Sequence, residues 1–255
     1  MLIDTHCHLT YDFSQIGGTD AVIARAENAG VRYLICPTAD PEDINAAIKI
    51  ANENKNIFAT IGIHPEHAGI CARDYITDEI LNNPRVVGVG EIGLDYHEMK
   101  SDTRTAQAEL FESQLEMARN HKLPVAIHTR DAEDDTAAIL ARFPDICGVM
   151  HCFTSSWNLA TKMLDRGFYF SASGILTFKN AGDIRETFSR IPLDRLVVET
   201  DSPYCAPVPY RGRQCEPAYV VETAKVLAEI KNIPFEKMSD IIIENVKQLY
   251  PKIEL

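Results

Sequence analysis

The sequence predicts a single-domain α/β protein, a (β/α)8 TIM barrel over residues 1–255, and three observations predict it. Eight short runs rich in apolar and β-branched residues are each followed by a segment with helical spacing of its apolar positions, the pattern of parallel strands joined by crossover helices. No repeat, low-complexity tract or linker interrupts the series. The 255 residues, 45% of them hydrophobic, supply one large core at the usual size of such a barrel. An open doubly wound sheet is the alternative, and eight unbroken alternations favour closure.

The first strand is Leu2 to Thr5, with a helix near 19–29 that Gly30 stops. Arg32 to Cys36 is the second, followed by a helix near 41–54 that begins on Pro41. Proline suits a first helical position, where its missing N–H costs nothing, and glycine suits the residue after the last, where φ turns positive. The third strand, Ile57 to Ile63, leads to a helix near 74–82, and the fourth, Val86 to Glu91, to one near 103–121. Pro124 to His128 precedes a helix near 132–142, and Gly148 to His151 one near 156–166 that Gly167 closes. Phe168 to Ala172 and a helix near 180–190 follow. Leu196 to Glu199 is the last strand, before helices near 217–231, opening on Pro217, and 235–249.

Charge and cysteine content narrow the setting. Lys and Arg number 25 against 37 Asp and Glu, a formal net charge of -12, so nothing in the bulk charge argues for binding a polyanion. Seven cysteines without a Cys-x-x-Cys pair resemble neither a disulfide framework nor a thiolate zinc site. A reducing, cytoplasmic protein is expected. The amino terminus has no basic leader, and no stretch of the chain reaches the roughly 18 apolar residues of a membrane span. No membrane association is expected, and the oligomeric state is open.

Chemistry begins at His6-Cys7-His8, directly after the first strand. Residues two apart on extended chain point to one side, so both imidazoles face one volume and Cys7 the other. Alone, such a triplet is often two surface histidines. It gains meaning from Glu91 in Val-Gly-Val-Gly-Glu, His128 in Val-Ala-Ile-His, His151 in Gly-Val-Met-His and Asp201 in Val-Val-Glu-Thr-Asp. Each closes an apolar run, and the carboxyl ends of barrel strands converge on one mouth. His6, His8, Glu91, His128, His151 and Asp201 are therefore the candidate metal ligands. Imidazole and carboxylate donors without thiolate suit zinc, manganese or, with enough oxygen, magnesium. Six donors exceed what one catalytic zinc uses, so one or two divalent ions are expected, with Glu91 as the candidate bridge.

These phrases resemble the TatD family of metal-dependent deoxyribonucleases, a branch of the amidohydrolase-like barrels. The likeness runs through Ile3-Asp4-Thr5-His6-Cys7-His8-Leu9, Gly62-Ile63-His64-Pro65, Gly90-Glu91-Ile92-Gly93-Leu94-Asp95-Tyr96, His128-Thr129-Arg130-Asp131-Ala132, His151-Cys152-Phe153, Ser173-Gly174-Ile175 and Val198-Glu199-Thr200-Asp201-Ser202-Pro203-Tyr204. The resemblance implies one metal on His6, His8, Glu91 and Asp201, and a second on Glu91, His128 and His151. It also implies that His64 lies near a substrate phosphate and that the reaction, supported by magnesium or manganese, cleaves phosphodiesters, often in single-stranded DNA from the 3′ end. One stretch departs from it: where the family usually has Arg-Gly-Lys-Arg-Asn-Glu-Pro, this chain has Arg211-Gly212-Arg213-Gln214-Cys215-Glu216-Pro217, which puts substrate choice in question rather than metal chemistry.

On this reading Asp201 and Glu91 are the catalytic residues, Asp201 also taking the proton of the attacking water. His64 and Arg130 are the substrate-binding candidates, through charge-assisted bonds to phosphate oxygens. Tyr96, Phe153, Trp157 and Tyr204 are placed either to stack on unpaired bases or to pack the rim. Arg211 and Arg213 are local candidates for a positive patch, or else a plain solvated loop. Cys152 and Cys205 lie beside site residues without a free base, so thiol catalysis is set aside. The expected partner is single-stranded DNA or another phosphodiester. A hydrolase of amides, lactones or aminoacyl esters on the same metals is the alternative, and a non-catalytic barrel scaffold is the alternative of another class.

Overall fold

The computed structural model describes residues 1–97 and 102–254. Its eight strands lie in one sheet in the order of the chain, each pairing parallel with the next. They are β1 Leu2–Asp4, β2 Val31–Pro37, β3 Ile57–Thr60, β4 Val86–Asp95, β5 Val125–Arg130, β6 Gly148–Met150, β7 Tyr169–Ala172 and β8 Leu196–Val198. The α-helices among the described residues are α1 Thr19–Asn28, α2 Ile44–Glu53, α3 Asp78–Leu81, α4 Arg104–His121, α5 Glu133–Ala141, α6 Trp157–Leu164, α7 Gly182–Arg190, α8 Val220–Ile230 and α9 Phe235–Leu249. A doubly wound sheet reverses its strand order at a switch point, and this one never does. The fold is the (β/α)8 barrel.

Closure between β8 and β1 is made by a few bonds beyond the strand ends. The Thr5 amide and hydroxyl both donate to the Val198 carbonyl, at 3.1 and 3.0 Å. The Asp201 amide donates to the His6 carbonyl at 2.9 Å, and the His8 amide to that of Ser202 at 2.8 Å. Beneath them Asp4 is fully buried. Its carboxyl group accepts from the His6 amide (3.2 Å), the Thr200 amide (3.0 Å) and the Thr200 hydroxyl (2.6 Å), and burial pushes its pKa up to about 8. Asp4→Ala strands these buried donors, so a loss of about 3 kcal/mol in unfolding free energy is expected by urea titration. A change below about 1 kcal/mol would mean that the seam does not depend on Asp4.

The strands differ from their expected bounds by a residue or two at an end, and β3 and β4 by more. β3 stops at Thr60: Ile61 still exchanges backbone bonds with Gly88 and Gly90 of β4, at 3.1 Å each, but the two residues after it are held by side chains instead of a ladder. Thr38 Oγ1 bonds both the amide and the carbonyl of Gly62, at 2.9 and 2.7 Å, and Gln114 of α4 does the same for Ile63, at 2.8 and 3.0 Å. β4 runs past Glu91 to Asp95, since Ile92 to Asp95 pair with Ile127 to Arg130 after a register shift. Gly93 permits this pairing: its φ is 146°, and a Cβ there would lie 1.9 Å from the His128 carbonyl oxygen. Gln107, two turns before Gln114 on α4, brackets Asp95 through its amide (2.9 Å) and carbonyl (2.8 Å). The helix expected near 74–82 shortens to one turn, where Thr77 caps the Ile80 amide.

A candidate metal centre at the carboxyl mouth

His6 and His8 lie just beyond β1, on extended chain clamped between β2 and the segment after β8. Cys7 points the other way, fully buried, with its amide 3.0 Å from the Ile35 carbonyl. The two imidazoles share the interior, with ring centroids 5.0 Å apart. Glu91 does not end its strand as the sequence suggested. It sits mid-strand at the β4 register shift, with its buried side chain reaching the same interior.

The two oxygens of Glu91 face different pairs of imidazoles. Oε2 is 3.4 Å from His6 Nε2 and 3.6 Å from His8 Nε2. Oε1 is 2.8 Å from His128 Nδ1 and 3.2 Å from His151 Nε2. Asp201 approaches the first pair only, its Oδ1 being 3.9 Å from His6 and 3.6 Å from His8. It does so with φ at 57°, a left-handed conformation that aspartate tolerates better than most residues. All six side chains expected from the sequence thus meet around one carboxylate.

Electrostatics follow from this crowding. Burial alone would raise the Glu91 pKa, but the neighbouring imidazoles hold it well below the carboxylate range. Burial would lower that of His128, yet Asp95 and Glu91 raise it to about 9, and Glu199 and Glu91 raise His151 in the same way. His6 is lowered by burial and by the neighbouring His151. Its Nε2 is buried without a hydrogen-bond partner although two carboxylates stand nearby. Such orphaned atoms are rare in folded proteins, and a cation held by the three groups would satisfy them together. The donors are nitrogen and oxygen at metal-chelating spacing, and among the described residues His6, His8 and Asp201 form one candidate set and Glu91, His128 and His151 another.

Three acidic residues were not singled out from the sequence. Asp95 Oδ2 lies 2.9 Å from His128 Nε2 and fixes that ring with Nδ1 toward Glu91. Glu199 Oε1 is 2.9 Å from His151 Nδ1 and also accepts the Cys152 amide at 2.7 Å. Asp4 tethers the backbone on which His6 stands. Partners of this kind orient metal-binding imidazoles and select their tautomer. The one available signal was that all three stand within the motifs already quoted.

The substrate candidates are less uniform. His64 is brought in, its Nε2 3.7 Å from Glu91 Oε1 and its ring against that of His128, with burial lowering its pKa to about 3. Arg130 ends β5 with an exposed side chain. Phe153 is buried against Phe170 and Phe188, which makes it core and not a stacking surface. Tyr96 is tied to Asp135 and covered by Arg104, and Trp157 lies under Arg190. Tyr204 remains open at 55% exposure, edge-on to Tyr11, which stacks on His8. In the departing loop Arg211, Gly212 and Arg213 face solvent. Gln214 instead bonds the Asp12 carbonyl, Cys215 is buried, and Glu216 takes a forked contact from Arg25 of α1.

A parallel barrel with this donor set at the carboxyl end is the architecture of a metal-dependent hydrolase, and similarity to known proteins says which kind. The family described as TatD related DNase matches residues 3–251, and the chain belongs to it. It is 38% identical over 257 residues to the uncharacterized metal-dependent hydrolase YabD of Bacillus subtilis, covering 98% of this chain and 99% of that protein. The uncharacterized metal-dependent hydrolase YcfH of Escherichia coli K12 is 36% identical over 253 residues, covering 98% and 95%. Among solved structures, YJJV, a TatD homolog from Escherichia coli K12, superposes with a TM-score of 0.86 at 27% identity, covering 98% of each chain.

Proposed function

We propose that this protein is a metal-dependent phosphodiesterase that degrades single-stranded DNA from the 3′ end. The observation that carries a two-ion hydrolase is the division of Glu91, one oxygen toward His6 and His8 and the other toward His128 and His151. The DNA substrate is supported by the family to which the chain belongs. Two divalent cations held by these donors, magnesium, manganese or zinc, would bring the pKa of bound water near neutrality and offset charge at phosphorus.

The chain's own residues do the rest. Asp201 stays ionised across the neutral range, because hydrogen bonding from His8 and the nearby imidazoles outweigh its burial, and we assign to it acceptance of the attacking water's proton. His64 and Arg130 hold the non-bridging phosphate oxygens, and Tyr204 offers its open face to an unpaired base, a contact worth about 1–3 kcal/mol. Arg211 and Arg213 give an acidic protein a local cationic edge. Arg130→Ala should weaken binding of a labelled oligonucleotide and reduce the slope of log affinity against log salt by about 1. An unchanged slope would remove Arg130 from the phosphate contacts.

Metal binding should release protons. His128 carries a proton below about pH 9 in the metal-free protein, and a metal takes only the neutral ring, so affinity rises as pH rises toward 9. Calorimetric titration with Mn²⁺ near pH 7, in two buffers of different ionisation enthalpy, should give different apparent enthalpies. Equal enthalpies would show that no imidazole is deprotonated.

The assignment is tested with metal-stripped protein resupplied with Mg²⁺, Mn²⁺ or Zn²⁺, on bis(p-nitrophenyl) phosphate and on end-labelled single-stranded DNA. Metal-dependent turnover with shortening from the 3′ end is expected. Protein that binds two ions yet cleaves neither substrate would overturn the phosphodiesterase reading in favour of amide, lactone or aminoacyl-ester hydrolysis. The cytoplasmic expectation is kept here, supported by all seven cysteines being free thiols.

A further inference from the structure

Two thiols stand at the edge of the metal centre and take no part in the chemistry proposed above. Cys152 follows His151 after β6, and Cys205 lies four residues past Asp201 after β8. Both are partly accessible, whereas Cys7, Cys36 and Cys215 are buried, and Cys71 and Cys147 are exposed elsewhere. Gly174 lets the Cys205 loop approach, since a Cβ there would sit 1.9 Å from the Cys205 carbonyl oxygen. The Cys152 amide is pinned from the other side by Glu199 at 2.7 Å.

The result is a compact donor group. The two sulfurs and an oxygen of Asp201 all lie within 4.8 Å of one another, with Cys205 Sγ 3.5 Å from Asp201 Oδ2. Donors bound tetrahedrally to one zinc ion at about 2.3 Å for sulfur and about 2.0–2.2 Å for oxygen stand roughly 3.5–3.8 Å apart. Ser173 Oγ, 3.1 Å from Cys152 Sγ, adds a polar wall, and a solvent molecule can take the fourth position.

We propose that Cys152, Cys205 and Asp201 Oδ2 form a separate site for a thiophilic divalent cation, Zn²⁺ or Cd²⁺, beside the histidine–carboxylate centre. Sulfur ligands select soft ions, while the imidazoles and carboxylates next to them also accept hard ones. Binding expels the two thiol protons to solvent and leaves the oxidation states unchanged. Asp201 then faces both sites, with Oδ1 toward His6 and His8 and Oδ2 toward the sulfurs.

The test uses the reduced, full-length protein with Mn²⁺ present and Cd²⁺ added. A thiolate-to-cadmium charge-transfer band should appear in the ultraviolet and saturate at one ion per chain. It should vanish in C152S/C205S and persist in C71S/C147S. In the unmodified protein, Cd²⁺ should protect Cys152 and Cys205 from iodoacetamide while Cys71 stays reactive, as read by peptide mass spectrometry. This second readout decides the matter even if the double variant does not fold. Absence of the band, its persistence in C152S/C205S, or no protection of this pair would overturn the site. Because the readouts follow sulfur ligation and not turnover, they stand apart from success or failure of the phosphodiesterase assay.

Discussion

Asp201→Asn is expected to lower metal-supported hydrolysis by about 10³-fold while leaving the fold intact. The amide has the shape of the carboxylate and accepts the same left-handed backbone, for which asparagine is as suited as aspartate. The backbone bond from residue 201 to the His6 carbonyl is untouched, so the barrel seam remains closed. What disappears is the charge: one anionic donor facing His6 and His8 and the assigned acceptor for the water's proton. The measurement is kcat/KM on bis(p-nitrophenyl) phosphate at saturating Mn²⁺, with urea unfolding alongside. Activity within about tenfold of the parent, from a variant of unchanged stability, would take Asp201 out of the chemistry.

Glu91→Gln should be the more damaging change, because it strikes both halves of the centre. Its carboxylate lies against His6, His8, His128 and His151, so bound Mn²⁺ should fall from two ions per chain to one or none, and turnover should fall by at least about 10³-fold. Stability of the metal-free protein should fall as well, by about 3–5 kcal/mol where the buried charges are left without their partner. The pH window follows from the shifts. The Glu91 pKa lies well below its unfolded value of 4.5, so its contribution is present above pH 4.5 and lost in stronger acid. His128 is raised from 6.5 to about 9, so its contribution is complete below pH 6.5 and lost as pH rises through 9. The deficit of the variant should therefore be greatest between pH 4.5 and 6.5 and shrink toward pH 9. A deficit independent of pH would point to packing and not to this ion pair.

The fold and the six central side chains were legible because both are written in local patterns. Alternation of apolar runs with helical spacing announces parallel strands and crossover helices, and His6, His8, His128, His151 and Asp201 stand where such runs end. The extent of β4 was not legible, since its continuation past Glu91 depends on Gly93 meeting the His128 carbonyl. Nor was the role of Phe153, which follows a site histidine in sequence but packs against Phe170 and Phe188 in space.

The sequence by itself determined which residue types would face the mouth, because side-chain direction on extended chain depends only on neighbours one or two positions away. Tertiary structure alone decided which groups touch. Asp95 with His128, Glu199 with His151, Asp4 with Thr200 and Cys152 near Cys205 and Asp201 each join segments from different strands, brought together by closure of the barrel. A hydrogen bond or a coordination site is a matter of a few tenths of an ångström between such segments, and no local periodicity carries that distance.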